Sequence, residues 1–307
     1  MKKQLNITWD GVHDSTGYMF SLAKALSCAV KNSPYSDFAE DIVATSGFAF
    51  RMWVAADLCP SSTSIWGFDG QKQWVENGGL TCEYVGRYWG QEGIEEAKRK
   101  EAIENIKKSI DSGIPAVSWD IGVPEWGLIT GYEDETQTLF VQQININEPT
   151  LMPYEMLGKR ELPILSVLTI TGKSDKKQAD ILQDTIKLAK THLVGGEWCD
   201  NAKGLDAYPA LIRHFEAEDS EFASCWQMEY LLGTYGALKY YAWKYFEKME
   251  QSEELAEIYK EVYKSWQEAF EIKKEQDTTK KEVKQKLTAL LKSAHDNEKK
   301  AVEFMKK

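Results

Sequence analysis

"GVPEWGLITGYEDETQTLF", Gly122 to Phe140, decides how the first half of this chain is read. An apolar run from Trp126 to Tyr132 closes on the acidic turn "EDETQ", and a second apolar run opens at Leu139, so the stretch predicts a β-hairpin. "PAVSWDI" before it, "TLFVQQI" within its second arm and "LPILSVLTITG" after it share the same strand character. Ahead of these runs, "GIEEAKRKEAIENIKKSID" (93–111) has Ile94, Ala97, Ala102, Ile103, Ile106 and Ile110 on one helical side and is stopped by Gly113 and Pro115.

Further upstream, Met19, Leu22, Ala23, Leu26, Ala29 and Val30 predict a helix over 16–31, capped by Ser15 or Thr16. "YSDFAEDIVATSG" predicts a short helix ended by Gly47, and the alternation of Phe48, Phe50 and Met52 with Ala49, Arg51 and Trp53 predicts a strand. Residues 57–79 are loop-rich. The first half therefore reads as α+β with a mostly antiparallel sheet.

At "GKSDKKQAD" (172–180) the composition turns polar, and helical periodicity takes over. Helices are expected near 177–194, 205–217, 221–249, 252–275 and 279–305, with "CWQMEYLLGTYGALKYYAWKYF" as the buried spine of a bundle. These patterns predict two domains, an α+β domain over 1–173 and an all-α domain over 174–307, a division that 307 residues readily supply.

A net charge of -11 disfavours nucleic acid and anionic membranes as partners, since both are held by basic footprints. The basic stretch from Lys273 to Lys307, 11 lysines against 6 acidic residues, is most simply a cover for the chain's own acidic body. No leader-like or membrane-spanning run is seen, which makes the cytoplasm the expected location. Five cysteines without a C-x-x-C pair suggest reduced thiols rather than zinc, and no cofactor motif is seen. A homodimer is compatible with these features.

The order of a helix after "HDST" (13–16), "GFAFR" (47–51), a helix running into "SGIPAVSW" (112–119) and then "PEWGLITGYEDE" (124–135) resembles the amino-terminal domain of the butirosin biosynthesis protein H family. That family is similar in turn to the papain-like peptidases that trim bacteriocin leaders. "GLDAYPALIRHF" (204–215) and the helices after it resemble the helical domain of such proteins, so the resemblance spans most of the chain. It implies a papain-like domain followed by a helical bundle.

Papain-like catalysis sets a thiolate at a helix N-terminus and an imidazole on a facing strand. The resemblance aligns the nucleophile with Ser15 or Thr16 and the base with Glu125 or Trp126, so neither a thiol nor an imidazole stands where the family has one. Cys28 lies twelve residues further on, about 18 Å along a helix. His13, Asp14 and Ser15 are consecutive and diverge, unlike working triads, which are assembled from separate elements. His192 stands alone, and His214 with Glu218 supplies only two ligands for a metal.

Two roles are open to Glu125. Its carboxylate can accept from the free amides of residues 16–18 at the helix start. Alternatively, with Asp120, Trp119 and Trp126 it can hold a cationic ligand, with Arg51, Tyr84 and Arg87 as companions. Trp66, Phe68, Trp74, Tyr84, Tyr88 and Trp89 either cover the core beneath long loops or wall a pocket. The expected function is a catalytically degenerate binding module for a small molecule or peptide. An acyl or aminoacyl transferase acting through Ser15, Thr16 or Glu125 is the rival, and a protein-interaction subunit the third reading.

Overall fold

The computed structural model describes residues 1–64, 67–160, 162–196, 200–217 and 220–306. Its elements in chain order are β1 (Lys2–Gln4), α1 (Ser21–Lys31), α2 (Asp41–Thr45), β2 (Trp53–Val54), α3 (Gly70–Asn77), β3 (Leu80–Arg87), α4 (Glu95–Asp111), β4 (Ala116–Ser118), β5 (Gly127–Glu133), β6 (Thr138–Gln142), β7 (Thr150–Pro153), β8 (Leu165–Lys173), α5 (Gln178–Leu193), β9 (Ala202–Lys203), α6 (Ala207–Glu216), α7 (Trp226–Lys248), α8 (Glu253–Glu275) and α9 (Lys281–Phe304). The chain is α+β. Two compact units emerge: Met1–Val12, Ser21–Ile42 and Gly67–Ile181 in the first, His13–Phe20, Val43–Trp66 and Leu182–Lys307 in the second.

The first unit is built on a seven-stranded antiparallel sheet of order β3-β8-β4-β5-β6-β7, with β1 paired to β5. The β5–β6 hairpin turns over Asp134–Gln137, where the Gln137 N–H donates to Asp134 O at 3.3 Å. Gly131 is required where β1 crosses, because a Cβ there would stand 2.5 Å from Lys3 O. Ala102, Ile106 and Ile110 of α4 pack with Val85, Ile129, Leu139, Val141 and Val167 of the sheet into one apolar core. β3 escapes a sequence reading because Glu83 and Tyr84, neither fully buried, follow one another and interrupt its two-residue alternation. β7 is a four-residue edge strand ended by Pro153.

Two local expectations are corrected. The first long helix starts at Ser21, not Thr16: Gly17 adopts φ +79°, and Asp14 Oδ1 accepts from the Gly17 N–H at 2.9 Å and the Met19 N–H at 3.3 Å, forming a turn of its own. The strand expected from Phe48 to Trp53 is reduced to Trp53–Val54, which pairs with Ala202–Lys203. Phe48 through Trp53 are all buried, so the apparent alternation did not mark two faces; Phe50 and Arg51 instead donate their N–H groups to Gly47 O.

In the second unit, the expected helices appear as α5 to α9, each within a few residues of its predicted bounds. Four of its helices converge on one buried polar cluster. Lys239 of α7 donates to Glu298 Oε1 of α9 at 2.7 Å, Tyr208 of α6 donates to Glu298 Oε2 at 3.0 Å, and Trp266 Nε1 of α8 donates to Tyr208 OH at 2.9 Å. Both charged side chains are at most 1% exposed. Burial, then the Glu298 charge, holds the Tyr208 hydroxyl well above its usual pKa. Because one buried charge left alone is far more costly than a neutral pair, Lys239→Met should lower the unfolding free energy by about 3–5 kcal/mol. Adding Glu298→Gln should recover part of that loss, as read by urea denaturation.

Candidate functional site

Ser21, 5% exposed, is the first residue of α1, and its hydroxyl donates to Glu125 Oε2 in a short hydrogen bond. The Ser21 oxygen also accepts the Trp126 N–H at 3.3 Å. Glu125 itself is half-buried and lies two residues before β5, so the helix start and the strand entrance are joined through one hydroxyl. The N–H groups of Gly17 and Tyr18 donate to Asp14 Oδ1 and Thr16 Oγ1.

The loop that delivers Glu125 is tightly wound. Asp120 is buried with φ +60°, Gly122 has φ +79°, and the Ile121 N–H donates to Glu125 O at 3.1 Å. Arg160 pins the outside of the loop, with Nε 3.7 Å from Asp120 Oδ1 and a hydrogen bond to Gly122 O at 2.9 Å. A left-handed aspartate between two buried tryptophan positions is the kind of local strain that a surrounding scaffold must hold.

Trp119, Trp126 and Phe68 form an aromatic cluster with ring centroids 5.4 Å apart for the two indoles and 5.2 Å for Phe68 and Trp126. Tyr88 extends it, accepting the Phe68 N–H at its hydroxyl at 2.7 Å. Trp126 is 0% exposed, so its faces are covered by other rings rather than open to a cation. Beside the cluster, Gln71 Nε2 donates to Ser166 Oγ at 3.4 Å and Ser166 Oγ to Tyr84 OH at 3.3 Å, while burial pushes the Tyr84 phenol above its usual pKa.

The structure therefore gathers Glu125, Trp126, Trp119, Asp120 and Tyr84 within the first unit, and adds Ser21, Phe68, Gln71 and Ser166. Arg87 is also in this unit but serves the scaffold: its guanidinium bonds Pro163 O and Gly158 O, each at 2.6 Å, and Glu95 at 3.1 Å. It sits three residues from Tyr84 on β3, an odd spacing that sends the two side chains to opposite faces. Arg51 belongs to the second unit, where it donates to Thr63 O at 3.1 Å and lies 4.0 Å from the Trp53 ring centroid. Trp66 and Glu218 lie outside the described residues.

Ser15 and Thr16 are likewise in the second unit, donating to Gln267 Oε1 and to Gly233 O, each at 2.9 Å. His214 packs on Phe222 with its Nδ1 3.3 Å from Ser220 Oγ, and burial, then Arg213, lowers its pKa. Among the described residues no group of three His, Cys, Asp or Glu side chains could hold a metal ion. Nor is any described helix long and apolar enough to cross a membrane. A sequence reading misses Ser21 because the apolar period runs back to Met19; Gly17, a helix breaker, is the signal that could have moved the start. No protein-family model matches the chain, and comparison with curated proteins returns no match.

Two outcomes are expected. Ser21→Ala removes a hydrogen bond to a carboxylate and leaves the Trp126 N–H without that acceptor, so urea denaturation should show a loss of about 1.5–3 kcal/mol. Cys28 and Cys82 are pushed up to about 12 by burial, against an ordinary value of 9.0. A raised folded-state value means that the unfolded thiols ionise first, so each draws stability away as pH rises from about 9 towards 12 and has no such effect below that window. Iodoacetamide at pH 8 should leave both thiols unmodified in the folded protein and label both in urea, as read by peptide mass spectrometry.

Proposed function

We propose that this chain is a catalytically degenerate papain-like protein of the butirosin biosynthesis protein H kind, binding a small molecule or peptide through the acidic, aromatic surface around Glu125. The observation that carries the reading is the Ser21–Glu125 hydrogen bond. A helix N-terminus facing a strand entrance is where papain-like chemistry sets its nucleophile and base, and here those two places hold a hydroxyl and a carboxylate. A carboxylate is a far weaker base than an imidazole and a poor acceptor for a serine proton, so the pair supports recognition rather than attack.

Recognition falls to the charge. The indoles of Trp119 and Trp126 are packed against each other and Phe68, which leaves the Glu125 carboxylate as the group that draws a cation, with the rings forming the apolar wall behind it. A ligand carrying an amine or guanidinium would compete with the Ser21 hydroxyl for that carboxylate.

Amines, amino acids, aminoglycosides and acyl carriers screened by thermal shift should include an amine that raises the melting temperature of the parent protein and not of Glu125→Gln. Saturation at a hundred times Kd corresponds to about 2.7 kcal/mol, enough to move the midpoint by several degrees. Equal shifts in both proteins would remove Glu125 from the site. A stable acyl adduct on Ser21 after exposure to an activated ester, found by peptide mapping, would replace this reading with the transferase.

A further inference from the structure

Two buried polar atoms near the Phe68–Trp119–Trp126 ring cluster have no hydrogen-bond partner among the described residues: Gln71 Oε1, on a side chain 1% exposed, and Trp119 Nε1, on one 7% exposed. They share the same neighbours. The Gln71 N–H donates to Phe68 O at 3.1 Å, and the Phe68 ring lies 6.0 Å from the Trp119 ring. Gln71 Nε2 reaches the Ser166 hydroxyl at 3.4 Å, while the Trp119 N–H of the backbone donates to Ser166 O at 3.0 Å.

Ser166 gives its single hydroxyl proton to Tyr84 OH, so its lone pairs face the Gln71 amide and receive Nε2, which leaves Oε1 as an unmet acceptor. An indole nitrogen can only donate. In apolar surroundings an unmet donor and an unmet acceptor together call for a neutral group that both donates and accepts, and a carboxamide, with its N–H and C=O on separate atoms, can meet the two at once. A carboxylate would satisfy the indole but face the Gln71 oxygen with a second acceptor. An ammonium would satisfy Gln71 and leave the indole without a partner.

We propose that Gln71 and Trp119 form a carboxamide-recognition subsite, the ligand N–H donating to Gln71 Oε1 and its C=O accepting from Trp119 Nε1. This rests on the reading of the Glu125 surface as a binding site and narrows its ligand class: an amine or guanidinium held by Glu125, on a molecule that also bears an amide, as peptides and acylated amines do. Neither side chain touches a reacting atom in this scheme; both set specificity.

The indole resonances of the uniformly nitrogen-15-labelled, full-length protein test it, with Trp119→Phe assigning the signal that disappears. Acetamide should shift the Trp119 signal saturably and sodium acetate should not, and Gln71→Leu should weaken the acetamide response at least about tenfold. The other indole signals of Gln71→Leu should coincide with those of the parent, which separates a lost contact from a lost fold. A Trp119 signal that acetamide does not move overturns the subsite. So does a trapped water only, seen as water cross-relaxation to that indole proton which acetamide fails to displace. Glu125→Gln should leave the acetamide response intact, so failure of the amine screen with this response retained strikes the cation reading alone.

Discussion

A single hydroxyl shared between a helix start and a strand entrance is the constraint on which the candidate site depends. Ser21 is buried, and a buried hydroxyl must be satisfied; it is satisfied by giving its proton to Glu125 and taking that of the Trp126 backbone. That arrangement fixes the height at which the 119–126 loop meets α1. It also holds Trp126 where its ring closes against Phe68 and Trp119. The strained backbone at Asp120 is then tolerated because both ends of the loop are anchored, at Ser166 through the Trp119 backbone N–H and at Ser21 through Glu125.

Buried polar groups are treated differently at two places in the chain. In the second unit, Lys239, Glu298, Tyr208 and Trp266 form a cluster in which each named donor finds an acceptor, and every member comes from a different helix. Such a cluster specifies how those helices register on one another. In the first unit, Gln71 Oε1 and Trp119 Nε1 are left unmet among the described residues. The completed network secures a bundle, whereas the incomplete one adjoins a wall of aromatic rings.

Much of the fold was legible wherever one face of an element is wet. α4, α8 and α9 carry clear apolar stripes, and the β5–β6 hairpin is announced by its acidic turn. Legibility failed where burial is complete on every side, as from Phe48 to Trp53, because periodicity carries no information when no residue faces water. It failed again at β3, where Glu83 and Tyr84 in succession break the alternation. At the candidate site, Glu125, Trp119, Asp120 and Trp126 could be picked out because they are close in sequence. Ser21 and Gln71 come from α1 and α3, and only the packing of distant segments reveals them. Arg51 and Arg87 are buried, and their guanidinium groups meet backbone carbonyls together with the Trp53 ring and Glu95 respectively, contacts between distant segments that sequence spacing does not announce.

The path of the chain has a consequence for how the protein comes into being. Residues 13–20 and 43–66 belong to the same unit as 182–307, and Thr16, Trp53 and His13 find hydrogen-bond partners in Gly233, Tyr235 and Tyr241, roughly two hundred positions later. During synthesis these early segments must wait for those partners until α7 has been made. The helical unit is thus a late folder that includes segments made well before its helices, and a chain severed near residue 173 would separate it from part of its own interior.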